Sequence, residues 1–247
     1  MTKEQTLTAL PERVRAALEE LLALLRRTAG DQLVAVLAHG SVVRGEYREA
    51  SSDVDLVIVL EADPVDLVER LGPGLLVARD RARIEVMILR RDELAASADV
   101  FPILYEDLSR TAVALEGKNP FTELVIHDQH KRLRIEQELR EARIRLRVAI
   151  ADAAAGLLRK PGIVERKLKQ LRSPLAALAA LSAKPISNPT LAQVLTESGA
   201  MLGVDVKPLA AVREQPDQAL ASLVRLLDAA INHANDLEVH SRAGASP

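Results

Sequence analysis

The residues from His39 to Val59, HGSVVRGEYREASSDVDLVIV, constrain this chain more than any other stretch. A Gly-Ser pair stands at Gly40-Ser41, a second glycine at Gly45, and Asp53 and Asp55 head the apolar run Leu56-Val57-Ile58-Val59-Leu60. Side chains on a strand alternate faces, so the spacing points both carboxylates one way and Val54 and Leu56 into the opposite layer. Two like charges side by side are costly unless something positive sits between them. A hard divalent cation is the usual remedy, and Mg²⁺ favours one or two carboxylates plus phosphate oxygens.

The glycines suit the other half of such an arrangement. Leu33-Val34-Ala35-Val36-Leu37 reads as a buried strand, which Gly40-Ser41 ends in a tight turn. Backbone N–H groups there, with the Ser41 hydroxyl, are placed to receive phosphate oxygens, helped by a short helix predicted from Val42. Arg44 lies one turn on, ready to pair with a phosphate, and Gly45 turns the chain back toward the second strand.

Gly40-Ser41, eleven residues, then Asp53-Val54-Asp55-Leu56 resembles the signature of the DNA polymerase β-type nucleotidyltransferase superfamily. Within it, the chain is most similar to the small prokaryotic branch of minimal and antibiotic-modifying nucleotidyltransferases. That pattern asks for a third carboxylate between hydrophobic residues on a later strand, and Arg83-Ile84-Glu85-Val86-Met87-Ile88 supplies Glu85. Each part alone has a plain reading as solvated acids at a strand start or on a sheet edge. Their joint occurrence is what carries the resemblance.

The chain has 247 residues, room for one large domain or two modest ones. With two Phe, two Tyr and no Trp, the core has to be aliphatic. A net charge of −2 gives no basic footprint for nucleic acid. The absence of cysteine rules out a disulfide framework and a thiolate metal site. The charged N-terminus does not read as a signal peptide, and no apolar run approaches membrane-spanning length. The expectation is a soluble cytoplasmic protein.

Residues 11–28 read as an amphipathic helix, with Val14, Leu18, Leu21, Leu22 and Leu25 on one face, Pro11 in its first turn and Gly30 at its stop. Strands are predicted at 32–38 and 54–60. A helix from Asp63-Pro64 should end at Gly72, followed by strands over Leu75–Ala78 and Ile84–Leu89 joined by the charged residues Arg79, Asp80, Arg81 and Arg83. A short helix at 91–98 and a strand at 100–105 complete the predicted catalytic domain, residues 1–118. The segment 101–117 is also similar to the region where this branch joins its helical domain, with Leu115-Glu116-Gly117 at the end.

After Asn119-Pro120 the sequence turns Ala-, Leu- and Arg-rich. A helical-bundle domain is expected over 119–240, with a disordered tail at 241–247. Its predicted helices are 128–158, with Leu139, Ala142, Leu146, Ala149, Ala153 and Leu157 on one face, then 163–172, a separate one from Ser173-Pro174 to Leu181, 189–202 and 216–239. Lys160-Pro161-Gly162 reads as a breaker. Glu136, Glu138 and Glu141 among the many arginines of the first helix suggest i,i+4 pairing. His127 and His130 lack a third ligand and read as surface residues. The fold class is therefore α+β: a polymerase β-like mixed sheet with flanking helices, then an all-α bundle.

The resemblance implies a Mg²⁺-dependent enzyme, with a two-metal site admitted, that transfers a nucleoside monophosphate, AMP in the first instance, from an NTP to a hydroxyl and releases pyrophosphate. Asp53, Asp55 and Glu85 would be the catalytic and metal-binding residues; Gly40, Ser41 and Arg44 would hold the nucleotide. Glu85 would complete a second metal site or take the acceptor's proton, and the helical domain would close over the cleft and select the acceptor. The acceptor stays open, although few aromatic platforms speak against single-stranded RNA. The alternative is a catalytically silent nucleotide-binding or antitoxin-like partner-binding protein. No oligomeric state is set, and a homodimer is admitted.

Overall fold

Leu7, Val14, Leu18, Leu21 and Leu25 meet the inner faces of strands in the N-terminal core, which fixes the layering of this part of the chain. The computed structural model describes residues 2–49, 51–182 and 189–237. The expected tail at 241–247 and the last residues expected in the final helix lie outside them. In order come α1 (Lys3–Thr8), α2 (Glu12–Ala29), β1 (Leu33–His39), β2 (Val54–Leu60), α3 (Val65–Ala82), β3 (Ile84–Arg90), α4 (Arg91–Ala96), α5 (Pro102–Thr111) and β4 (Val113–Gly117). Then follow α6 (Asp128–Ala154), α7 (Lys160–Ser182), α8 (Leu191–Leu202) and α9 (Pro216–Asp236). Among the described residues no helix is long and apolar enough to cross a membrane.

The chain falls into two compact units: residues up to Ala98 with Leu104–Val125, and Asp99–Ile103 with the chain from Ile126 on. In the first, four strands form a mixed sheet in the order β3-β2-β1-β4. β2 pairs antiparallel with β1 and parallel with β3, and β1 pairs antiparallel with β4. Val36, Ala38, Leu56, Ile58, Leu60 and Ile84 turn one face to the aliphatic core shared with α2 and α3. Alternation puts Asp55 and Glu85 on the other face. α1, capped by Thr2 and Gln5, lies beside β4, where the Lys3 ammonium donates to the Leu115 carbonyl and pairs with Glu116.

Several expected elements are corrected. α3 does not stop at Gly72: it runs through Gly72-Pro73-Gly74, and the strand expected over Leu75–Ala78 is its continuation. Leu67, Leu71, Ala78 and Ala82 bury one helical face across the interruption, with Leu75 packed beside them. At Gly74 a Cβ would overlap the Leu24 side chain of α2, so the glycine serves close helix approach and not a stop. The strand expected at 100–105 is the start of α5, with Pro102 in the first turn, where its missing N–H costs nothing. The fourth strand is β4, whose buried Val113 and Leu115 alternate with Ala114 and Glu116. No helix follows Gly40-Ser41 either. Residues 40–45 form turns, bounded by Gly40 at φ 74° and Gly45 at φ 70°, neither of which a right-handed helix admits.

In the helical unit, α6 through α9 bury a second aliphatic core that includes Ile135, Leu139, Leu168, Leu175, Leu223 and Leu227. Lys160-Pro161-Gly162 opens α7 instead of merely breaking the chain, and α7 continues through Pro174 as one helix. Leu168, Leu171, Leu175 and Leu178 share a buried face on both sides of that proline, which outweighs its lost hydrogen bond. α6 ends at Ala154, leaving Leu157 beyond it and 75% exposed. The expected i,i+4 pairs form: Glu136 with Arg132 at 3.1 Å and Arg140 at 2.7 Å, and Glu138 with Arg134 at 2.8 Å.

Candidate active site

One row crosses three strands. Asp55 of β2 is the register partner of His39 on β1 and of Glu85 on β3. Adjacent strands lie about 4.8 Å apart, so three titratable side chains stand in line on one face of the sheet. Asp53 precedes the first residue of β2, and its Oδ1 accepts from Arg83 Nε at 2.8 Å. Arg83 closes α3 in the left-handed region, φ 52°, and its carbonyl accepts from Val54 N–H at 2.9 Å, so one residue sets the start of both β2 and β3.

The Gly40-Ser41 turn stands directly against this row. Gly40 has φ 74°, and a Cβ there would overlap Oδ2 of Asp55, so the glycine both makes the turn and admits the carboxylate. Ser41 begins a turn whose carbonyl accepts from Glu46 N–H at 2.9 Å. Arg44 is near enough to act on both His39 and Asp55, while its Nε pairs with Glu46 at 3.1 Å. Burial pushes the Asp55 carboxyl up, Asp53 and Glu85 add to that, and His39 and Arg44 oppose it. Burial holds the His39 imidazole below its ordinary value, against the pull of Asp55 and of Asp107 on α5. Glu85 is exposed and borders a cavity of about 250 Å³ also lined by Leu75 and Arg79 of α3.

Among the described residues no group of three or more His, Asp or Glu side chains converges tightly enough to hold a metal alone. Arg83 draws the Asp53 carboxylate to itself. The donor set still suits Mg²⁺, which needs only one or two carboxylates when phosphate oxygens complete its shell.

All six residues expected from the sequence lie in these segments: Gly40 beside Asp55, Ser41 and Arg44 in the turn, Asp53 and Asp55 at the head of β2, Glu85 across from Asp55. Sequence reasoning passed over His39 and Asp107, and placed Arg83 in a charged turn. The position of His39, immediately before the Gly-Ser pair and at a strand end, was the available signal. Nothing local marked Asp107.

An α+β fold with this mixed sheet and a following helical bundle is that of the polymerase β-like nucleotidyltransferases. A family profile described as a nucleotidyltransferase domain matches residues 18–147, more than half of the chain, and the chain belongs to that family of transferase enzymes. No curated protein matches it. Among solved structures it is similar to a spectinomycin adenyltransferase from Enterococcus faecialis, crystallised with ATP and spectinomycin. That likeness has a TM-score of 0.52 at 12% identity, over 89% of this chain and 98% of the other.

Proposed function

We propose that this nucleotidyltransferase moves AMP from ATP to a hydroxyl of a small acceptor and releases pyrophosphate, with Mg²⁺. The row of Asp55 and Glu85 across β2 and β3, with the Gly40-Ser41 turn against it, carries this reading. Residues 1–118 are assigned the chemistry and residues 119–240 the choice of acceptor. The neighbour's ATP and spectinomycin support ATP as donor and a small molecule as acceptor.

Asp53 and Asp55 are the residues that would hold Mg²⁺, with Arg83 released from Asp53 as they do so. The ion supplies neutralisation of phosphate charge when bound. The Gly40 backbone and the Ser41 hydroxyl orient the β- and γ-phosphates, and Arg44 pairs with one of them. The acceptor oxygen attacks the α-phosphorus, the bond from that phosphorus to the bridging oxygen breaks, and pyrophosphate leaves. Glu85, exposed on the outer strand of the row, takes the hydroxyl proton. Such general-base help contributes ~10²–10⁴-fold.

The test is thermal unfolding of wild type and Asp53→Ala with each NTP, with and without Mg²⁺, followed by pyrophosphate release over a panel of small hydroxylated acceptors. A Mg²⁺-dependent shift with ATP that the variant loses, and an adenylated product by mass spectrometry, support the reading. No shift with any nucleotide and no pyrophosphate would move the assignment to the catalytically silent or antitoxin-like alternative.

A further inference from the structure

A cavity of about 430 Å³ lies between α6 and α7 and shares no residue with the acidic row. Three cations line it, Arg145, Arg166 and Lys167, together with the carboxylate of Asp152, and Arg145 is also paired with Glu141 at 3.4 Å. Lys167 is only 7% exposed. Its ammonium donates to Gln170 Oε1 at 3.0 Å, and among the described residues no carboxylate lies within ion-pair distance of it. A buried ammonium is costly unless paired, and lysine is among the residues least often buried. A leucine or methionine would fill this place in the helical core without that cost. Burial first, and the charges of Arg145 and Arg166 after it, lower the Lys167 pKa.

The mouth of the cavity supplies an independent observation. Ile144 and Val148, one turn apart on α6, line it and are 58% and 61% exposed. Ile163 continues the apolar wall. Cationic and apolar side chains sharing one lining, with Lys167 buried and in a volume ordinary for small-molecule sites, define the chemistry of an occupant. We infer that the α6–α7 cavity is a binding site for a small amphiphilic anion, whose head group meets Lys167, Arg166 and Arg145 and whose apolar body lies along Ile144 and Val148. This inference is independent of the catalytic assignment, and its test reads binding alone.

The test is calorimetric titration of the full chain with octanoate, octyl phosphate, octylammonium and acetate. Octanoate or octyl phosphate should bind at one site per chain, and the tighter of the two identifies the head group. Octylammonium, with the wrong charge, and acetate, with no apolar body, should bind at least ten-fold more weakly. Lys167→Met should weaken the anion at least ten-fold while its unfolding midpoint stays level or rises. Val148→Asp, a surface change that leaves the core intact, should weaken it as well. Undiminished binding to Lys167→Met, equal binding of octylammonium, or no binding of either eight-carbon anion at millimolar concentration would overturn the proposal.

Discussion

Gly40 lies so close to Asp55 that any side chain at position 40 would displace the carboxylate, whose Cγ is 3.3 Å from where a Cβ would stand. Gly40→Ala therefore carries two penalties. The left-handed backbone costs about 1–2 kcal/mol for an L-residue, visible as a lower urea midpoint. Displacement of Asp55 adds a transfer rate reduced by roughly 10²-fold, the scale on which a 1 Å misplacement acts. A variant with wild-type turnover would show that Asp55 needs no such seat.

Asp55→Asn should separate stability from activity. Burial raises the Asp55 carboxyl, so its ionisation in the folded protein opposes folding: the stability is full below the ordinary aspartate value of 3.8 and falls as pH rises through the raised one. The asparagine variant should thus unfold at higher urea than wild type at pH 7, and the gain should shrink toward pH 3. Its transfer rate should fall by about 10²–10³-fold. Urea titrations at both pH values and a pyrophosphate assay check the pair of outcomes.

Arg83 combines a left-handed backbone with an ion pair to Asp53. Arg83→Gly and Arg83→Ala both lose the pair, and only glycine relieves the backbone. The glycine variant should be the more stable by about 1 kcal/mol, after allowance for its freer unfolded chain. Because an exposed pair is worth about 0.2–1 kcal/mol, releasing Asp53 should lower the half-saturating Mg²⁺ concentration by roughly 1.4- to 5-fold in both. Titration of Mg²⁺ against the nucleotide-dependent unfolding shift reads this directly.

Glu116 on β4 ties the N-terminal helices to the sheet through Arg26 and Lys3. The hydrogen bond from Arg26 chiefly, and that from Lys3 after it, hold its carboxyl below the ordinary glutamate value. Its contribution is therefore present above about pH 4.5 and lost as pH falls through the depressed value. Glu116→Gln should cost about 1–2 kcal/mol at pH 7, as loss of a charged hydrogen bond does, and the two proteins should converge in acid. A constant difference from pH 7 to pH 3 would assign the cost to packing.

The parts of the fold legible in the sequence are those in which local pattern and burial agree. β1 and β2 are apolar runs bounded by turn residues, and α2 is a clean 3.6-residue stripe between Pro11 and Gly30. Where a strong local signal met a stronger tertiary one, the sequence misled. Gly72-Pro73-Gly74 looks like punctuation, yet the face that joins Leu71 to Ala78 holds the helix through it. Pro174 yields in the same way to Leu171 and Leu175. In the site, the residue types of Asp53, Asp55 and Glu85 were legible, but their register was not. Parallel pairing of Asp55 with Glu85 depends on a crossover through α3, whose continuation past Gly72 is set by tertiary burial, and the capture of Asp53 by Arg83 depends on how that helix ends.

β3 closes one side of the sheet, and the outward N–H and C=O groups of such a strand invite another chain to add to it. β4, at the opposite side, has α1 beside it and the Lys3 ammonium on the Leu115 carbonyl. On β3 the deterrent is charge: Glu85 stands exposed near its start and Arg90 ends it. The carboxylate assigned to proton transfer is thus also a guard against aggregation by strand addition. Glu85→Leu would forfeit solubility together with activity, so Glu85→Gln, which keeps a polar group on that rim, is the substitution that isolates the chemistry.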